Sequence, residues 1–161
     1  MRPSSPASAS TPGRPYPIAY GDAFLDRVRA FHQGAEHLPG YRHWIDEHMG
    51  GRVVTFRARL LPHIRAFTAL QNLDILDFGC GTGSSTVVLG EAASGGTLTG
   101  IDVDTAGLEL ARLRFLHHGL ASRVRLQAIA PVAQAGDLPF ADASFDFILA
   151  NGVLEHVVPF A

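Results

Sequence analysis

The chain has 161 residues, of which 47% are hydrophobic, and its formal net charge is −2. This composition is sufficient for one domain with a hydrophobic core, and the near-neutral charge gives no basic surface for nucleic acid, so we expect no nucleic-acid partner. Cys80 is the only cysteine, which excludes an intramolecular disulfide and favours a reducing, cytoplasmic location. No apolar run approaches the roughly 18 residues of a membrane span, so we expect none.

The first part of the chain has the composition of a tail. Residues 1–20 are rich in Pro, Ser and Ala and lack the apolar stretch of a secretory signal. They contain no acidic residue, as in organelle transit peptides, but the repeated prolines disfavour the amphipathic helix that such a peptide needs. We therefore predict a disordered tail over residues 1–20.

The next part of the chain has helical periodicity. Residues 21–71 carry apolar side chains at helical spacing and divide into three predicted helices. Asp22 is the expected N-cap of the first helix, and the second covers residues 41–49. The third covers residues 53–70, where Pro62 is expected to kink or split it.

From residue 72 onward the pattern alternates between strands and helices. Near-continuous apolar strands that alternate with helices predict an α/β domain with a parallel sheet covered on both faces. Right-handed crossovers place strands one and four side by side, with a ligand at their carboxyl ends. The predicted strands cover residues 74–78, 97–102, 124–129 and 145–150, and the predicted helices cover residues 84–93 and 105–116.

A glycine-rich turn follows the first strand. Gly79, Gly81 and Gly83 alternate there, a pattern typical of a turn that approaches a nucleotide closely. A dinucleotide fingerprint would need glycine where Ser84 stands, which disfavours a nicotinamide-dependent dehydrogenase. No lysine follows the glycines, so a phosphate-binding P-loop is absent as well. The turn suits a nucleoside ligand without a pyrophosphate.

The glycine turn and two later segments resemble the motifs of class I S-adenosylmethionine-dependent methyltransferases. The resemblance covers residues 73–157 and implies a Rossmann-like fold, S-adenosyl-L-methionine as cofactor and transfer of a methyl group to an acceptor. The charge favours a small-molecule acceptor. The glycine turn is Asp77 to Gly83, and the first later segment is Gly100 to Asp104. The second is the signature around strand four, made of Leu138-Pro139-Phe140, Ser144-Phe145-Asp146 and Val153 to Val157.

The resemblance assigns the methionine part of the cofactor to the glycine turn. It implies that Asp77 orders the turn and the amino group of the ligand, and that main-chain groups of the turn cradle the methionine. The residues of the turn in this predicted set are Gly79, Cys80, Gly81 and Gly83. We interpret Cys80 as a small packing residue rather than a nucleophile, because no histidine lies near it in the sequence.

The ribose is expected at the end of the second strand. Asp102 lies about 20 residues beyond the glycines, where a carboxylate can accept hydrogen bonds from a vicinal diol. Val103 follows it in the predicted cofactor-binding set. Asp104 is expected to cap the next helix. For adenine, Asp137 is slightly preferred over Gln134 as hydrogen-bond acceptor, and Leu138 joins the set.

No catalytic residue is assigned. Glu155 and His156 follow the fourth strand, where acceptor-side residues lie in relatives, but a helix start capped by Asn151 explains the segment equally well. Asn151 is also included among the candidate cofactor-binding residues. The histidines before residue 50 lack metal-ligand spacing, so we expect no metal site and place them on the surface or in the lid described next.

The resemblance also predicts how the chain is organised. Helices before the Rossmann-like core, here residues 21–71, are expected to form a lid over the cofactor or acceptor. Residues 72–161 would supply four of the seven strands of the family fold, which predicts a C-terminally truncated product or a fragment. Strand four would then have an exposed edge that favours self-association. A non-catalytic, cofactor-binding remnant is the alternative to an active methyltransferase.

Overall fold

Four parallel strands form the centre of the protein. The computed structural model describes residues 16–131 and 138–157. The strand order is β3-β2-β1-β4, and each neighbouring pair is parallel. Strands β1 and β4 are neighbours, as predicted, so their carboxyl ends meet at the switch point of the sheet. The strands are β1 (Ile75–Phe78), β2 (Leu98–Asp102), β3 (Val124–Ala128) and β4 (Phe147–Ala150).

Side chains cross-link the amino-terminal edge of this sheet. Asp74 Oδ1 accepts hydrogen bonds from the backbone N–H and the hydroxyl of Thr97, at 3.0 and 2.7 Å. The N–H of Asp74 in turn donates to Asp146 Oδ2 at 2.8 Å. These three residues were predicted within strands. They lie just before β1, β2 and β4. Carboxylates, rather than strand carbonyls, accept the N–H groups of Asp74 and Thr97 there.

Two helices connect the first three strands. Helix α5 covers Ser84–Ala92 and α6 covers Thr105–His117. Asp104 Oδ1 accepts the N–H of Ala106 at 3.0 Å, which confirms the predicted cap of α6. A short 3₁₀ helix, Leu154–His156, follows β4. Its N-cap is Val153, so the prediction that Asn151 caps a helix is wrong.

The N-terminal helical segment contains four α-helices and two π-helical turns. Helix α1 begins at Asp22 with Gly21 as N-cap, so the predicted capping role of Asp22 is wrong. The predicted second helix changes to a π-turn after Asp46, and the third is split just before Pro62, as expected from the missing N–H of proline. The elements are α1 (Asp22–Phe31), α2 (Tyr41–Asp46), a π-turn (Glu47–Gly51), α3 (Arg52–Thr55), a second π-turn (Phe56–Leu60) and α4 (Leu61–Phe67).

This segment packs directly on the sheet domain. Val53 and Ile64 belong to the same buried cluster as Val87 of α5 and Ile75 of β1. Helix α5 is therefore covered by the sheet on one side and by α3 on the other, which explains why residues 84–90 are buried all round. The burial of these side chains fixes the segment to the domain through the hydrophobic effect.

The packed part of the chain begins ahead of residue 21. Ile18 packs against the main core, and the hydroxyl of Tyr20 accepts a hydrogen bond from Arg114 at 2.7 Å. Residues 16–20 therefore differ from the disordered tail predicted for residues 1–20. In the described ranges, no helix combines the length and apolar character needed to cross a membrane.

Substitution of Gly83 tests how closely the glycine turn packs against α6. It has φ +80°, and a Cβ there would lie 2.7 Å from a ring carbon of Phe115 and 2.9 Å from the Cβ of Ala111. Gly119 also has a positive φ, +67°, but open space around its Cβ position. We expect Gly83→Ala to lower the free energy of unfolding by about 2–5 kcal/mol and Gly119→Ala by about 1–2 kcal/mol, because only the first adds a clash to the strain. Urea denaturation measures both, and equal losses would contradict the packing of α6 against the turn.

Strand β4 forms one edge of the sheet. Among the described residues no strand pairs with its outer side, and Ile148 is 56% exposed. Unpaired N–H and C=O groups on such an edge favour pairing with another chain. We expect light scattering to show association that increases with protein concentration and that Ile148→Lys reduces. A monomer over the whole concentration range would contradict this prediction.

Candidate functional site

A cleft of about 350 Å³ opens at the carboxyl ends of β1, β2 and β4. This volume lies within the roughly 300–1,000 Å³ of small-molecule sites. The glycine turn (residues 79–83), the end of β2 and the loop after β4 provide most of its wall. Six of the predicted cofactor-binding residues line it: Gly79, Cys80, Gly81, Asp102, Val103 and Asn151.

The Asp102 carboxylate links the glycine turn to the residue that precedes α6. Its Oδ2 accepts the N–H of Gly81 at 2.7 Å, and its Oδ1 accepts the N–H of Asp104 at 2.9 Å. Each carboxylate oxygen can accept a second hydrogen bond. The side chain is therefore held in one orientation beside the glycine turn and keeps acceptor capacity for a diol.

Asp77 lies behind the glycine turn rather than in the wall of the cleft. Its side chain is buried, and Oδ2 accepts from the hydroxyls of Ser85 at 2.7 Å and Thr86 at 2.6 Å. Burial raises the pKa of this carboxyl to about 6, although the two hydroxyls partly oppose the shift. Asp77 thus fixes the first turn of α5 to β1, and its contact with a ligand amino group stays a prediction.

Cys80 has the surroundings of a packing residue. Its thiol is buried, and burial raises the pKa of the thiol well above its usual range. A Cβ at Gly100 of β2 would lie 3.0 Å from Sγ, so the sulfur packs closely on that strand. A buried, protonated thiol is a poor nucleophile, in agreement with the interpretation from the sequence.

The remaining predicted residues lie elsewhere. Gly83 caps α5 and faces α6 rather than the cleft. Leu138 is described but is not part of the cleft wall, and both adenine candidates, Gln134 and Asp137, lie outside the described residues. The role of these residues toward a cofactor stays a prediction.

The N-terminal helical segment contributes residues that the sequence did not assign to the site. Arg52 and Phe56 line the cleft together with residues of the glycine turn. Phe56 lies within the third predicted helix, residues 53–70, but nothing in the sequence says that this helix reaches the cleft. His156, whose role was left open, also lines it.

His48 reaches the glycine turn from behind. It is buried, and its Nδ1 lies 3.1 Å from the hydroxyl oxygen of Thr82. Burial, aided by the nearby Arg52 charge, lowers the pKa of His48 to about 3, so the ring is neutral near pH 7. Thr82 itself lines the cleft, so His48 supports the site from the N-terminal segment.

Three further features of the cleft wall bear on the kind of ligand that it could take. The hydroxyl of Ser84, at the first position of α5, is buried in the cleft wall without a hydrogen-bond partner in the described structure. A Cβ on Gly81 would meet nothing nearer than Asp102 Oδ2 at 3.9 Å, so it would stand in the cleft. An unpartnered hydroxyl, a helix N-terminus without a side-chain cap and an open glycine suit a ligand with polar ends.

Comparison with known proteins assigns the chain to a family. The model of the Methyltransferase domain family matches residues 75–160. The O-methyltransferase cnsE of Penicillium expansum is 31% identical over 94% of this chain and 54% of its own length. An O-methyltransferase of Aspergillus nomiae is 34% identical over 74% of the chain and 53% of its own length.

The fold has a counterpart among solved structures. A candidate S-adenosyl-L-methionine-dependent methyltransferase from Methanococcus maripaludis superposes with a TM-score of 0.52 over 84% of this chain and 53% of its own, at 15% identity. The chain belongs to the methyltransferase domain family, with the Rossmann-like fold of class I S-adenosylmethionine-dependent members. It spans about half the length of the two O-methyltransferases.

The raised pKa of Asp77 predicts a pH dependence with a definite sign. The folded protein keeps the proton up to about pH 6, whereas the unfolded chain releases it near 3.8, so this group's stabilising contribution is lost as the pH rises through that window. Asp77→Asn does not titrate and retains one oxygen that can accept both hydroxyls. We expect the stability of the variant relative to the wild type to increase by about 2–3 kcal/mol between pH 3.5 and 7.

Urea denaturation across this pH range measures the difference. His48 has the opposite effect, because its lowered pKa reduces stability as the pH falls below about 6.5, but both proteins share it and it cancels. A pH-independent difference for Asp77→Asn would show that folding does not shift the pKa of this carboxyl.

Proposed function

We propose that the cleft binds S-adenosyl-L-methionine and that the whole protein transfers the methyl group to a hydroxyl oxygen of a small molecule. The observation that carries this proposal is the Asp102 carboxylate, held by main-chain N–H groups beside an open glycine. A fixed carboxylate at the end of the second strand is suited to two vicinal hydroxyls, as found on a ribose. The family supports the cofactor.

The residues present fit the cofactor part by part. Asp102 would accept from the ribose hydroxyls, with Val103 beside it. Main-chain groups of Gly79 and Gly81 would contact the methionine part, where the unpartnered Ser84 hydroxyl and the N-terminus of α5 favour a carboxylate. Asp137 and Leu138 remain the proposed adenine residues, and Asn151 is among the residues that line the cleft.

The protein's contribution to methyl transfer would be positioning and exclusion of water. When bound, the cofactor supplies an electrophilic methyl group on a sulfonium sulfur. Arg52 and Phe56 place the N-terminal helical segment over the cleft, which supports the lid role proposed for residues 21–71. Closing the cleft orients the acceptor and removes competing water, the two effects that lower the barrier to a direct displacement.

The proposed acceptor follows from the relatives. Both relatives described above are named O-methyltransferases, and this chain resembles them over most of its length. A hydroxyl oxygen on a small molecule is therefore the proposed acceptor class. The alternative, a non-catalytic cofactor-binding module, uses the same cleft and differs only in turnover. Release of S-adenosylhomocysteine in the presence of a panel of phenols would separate the two.

Replacement of Asp102 tests the ribose contact. Asp102→Asn keeps the shape of the side chain but removes the charge and places an amide donor against one of two main-chain N–H groups. We expect binding of S-adenosylhomocysteine to weaken by about 10- to 100-fold, because hydrogen bonds to a charged acceptor are lost. Isothermal titration calorimetry measures the dissociation constants.

Two controls accompany this titration. Asp26→Asn removes an equal charge from an exposed helix face and should bind like the wild type. NAD should bind more weakly than S-adenosylhomocysteine, because Ser84 stands where a dinucleotide fingerprint needs glycine. Tighter binding of NAD, or unchanged affinity in Asp102→Asn, would refute the proposed assignment.

A further inference from the structure

A buried arginine holds the N-terminal segment and the glycine turn together. Arg114 of α6 is completely inaccessible to solvent. Its Nε donates to the carbonyl of Thr82 at 2.9 Å, its Nη2 to the carbonyl of His48 at 2.9 Å and its Nη1 to the hydroxyl of Tyr20 at 2.7 Å. We call these four residues the Arg114 network. It joins four positions of the chain that are far apart in sequence.

Arg114 depends on these acceptors for its charge. It forms no ion pair among the described residues, and its guanidinium lies over the ring of Tyr20, 4.9 Å from the centroid. Burial of a cation is costly unless its N–H groups are hydrogen-bonded. Each lost acceptor leaves an N–H unsatisfied, so the guanidinium is stable only when the N-terminal segment and the turn are both in place.

The π-turn explains why the carbonyl of His48 can accept a hydrogen bond from Arg114. In a regular α-helix the carbonyl of His48 would accept the N–H of Arg52. Here the N–H of Arg52 donates to the carbonyl of Glu47 instead, because Met49 and Gly50 leave helical geometry. The carbonyl of His48 is thereby free for Arg114, while the ring of His48 contacts the Thr82 hydroxyl. The irregular backbone of the π-turn therefore supplies a carbonyl acceptor for Arg114.

Thr82 is the point at which this network meets the cleft. Its carbonyl accepts from Arg114, its hydroxyl contacts His48, and the residue lines the cleft beside Gly81. We propose that Arg114 is a positioning residue that couples docking of the N-terminal helical segment to the shape of the glycine turn, and so to cofactor affinity. This inference rests on the proposed function. By linkage, the cofactor would stabilise the docked segment to the same extent.

Tyr20→Phe tests the coupling without altering the cleft. Tyr20 does not line the cleft, and the change removes only its hydroxyl, which accepts from Arg114 and lies 2.9 Å from Nε2 of His118. We expect S-adenosylhomocysteine to bind about 5- to 50-fold more weakly. Amide hydrogen exchange of the ligand-free protein should become faster at residues 41–51 and at residues 79–83 together. Tyr41→Phe is the matched control, since none of the described side-chain hydrogen bonds involves the hydroxyl of Tyr41, and it should change neither quantity.

A pair of substitutions at His48 separates positioning from simple stability. His48→Asn keeps a hydrogen-bonding group near the Nδ1 position and should largely retain slow exchange at residues 79–83, whereas His48→Leu should not. Faster exchange confined to residues 41–51, with the glycine turn unchanged in Tyr20→Phe and His48→Leu, would overturn the inference. If the wild type binds no S-adenosylhomocysteine, the proposed function fails, but exchange in the ligand-free proteins still decides whether the network couples the two parts.

Discussion

The carboxyl edge of the sheet depends on one constraint, the position of the Asp102 carboxylate. Its two oxygens accept N–H groups from Gly81 in the glycine turn and from Asp104 at the entrance to α6. Asp104 then caps α6, so the end of β2, the turn and the next helix are linked through adjacent residues. A cleft built on main-chain donors keeps its shape without a ligand, and this preorganisation reduces the ordering cost of binding.

The interior behind the cleft contains two ionisable side chains without a partner of opposite charge among the described residues. Asp77 is satisfied by hydroxyls of α5, and Arg114 by two carbonyls and a phenol oxygen. Such groups contribute little to net stability, since desolvation offsets most of what their hydrogen bonds gain. Their benefit is geometric, because each holds an element of the site in a single position.

The sequence predicted the local features of the site and missed the distant ones. The glycine turn, Asp102 and the cap at Asp104 depend on neighbouring residues, so spacing was sufficient to place them. Arg52 and Phe56 reach the cleft, and His48 reaches the back of the glycine turn, only through packing of the N-terminal segment, which periodicity does not encode. The sequence contained one indication that Arg114 is buried, because it lies at helical spacing from Gly107 and Ala111, which are buried as well. Its hydrogen-bond acceptors come from three segments that only the fold brings together.

The central claim is that the cleft beside Asp102 is the cofactor site, and mapping of amide NMR shifts during titration tests it most directly. The account predicts that S-adenosylhomocysteine shifts the amides of residues 79–85, 102–104 and 151–153, while NAD at the same concentration leaves them nearly unchanged. A second groove lies between α1 and α6, where Ala30, Phe31 and Leu113 line it. Shifts concentrated in that groove, or a stronger response to NAD at the glycine turn, would contradict the account.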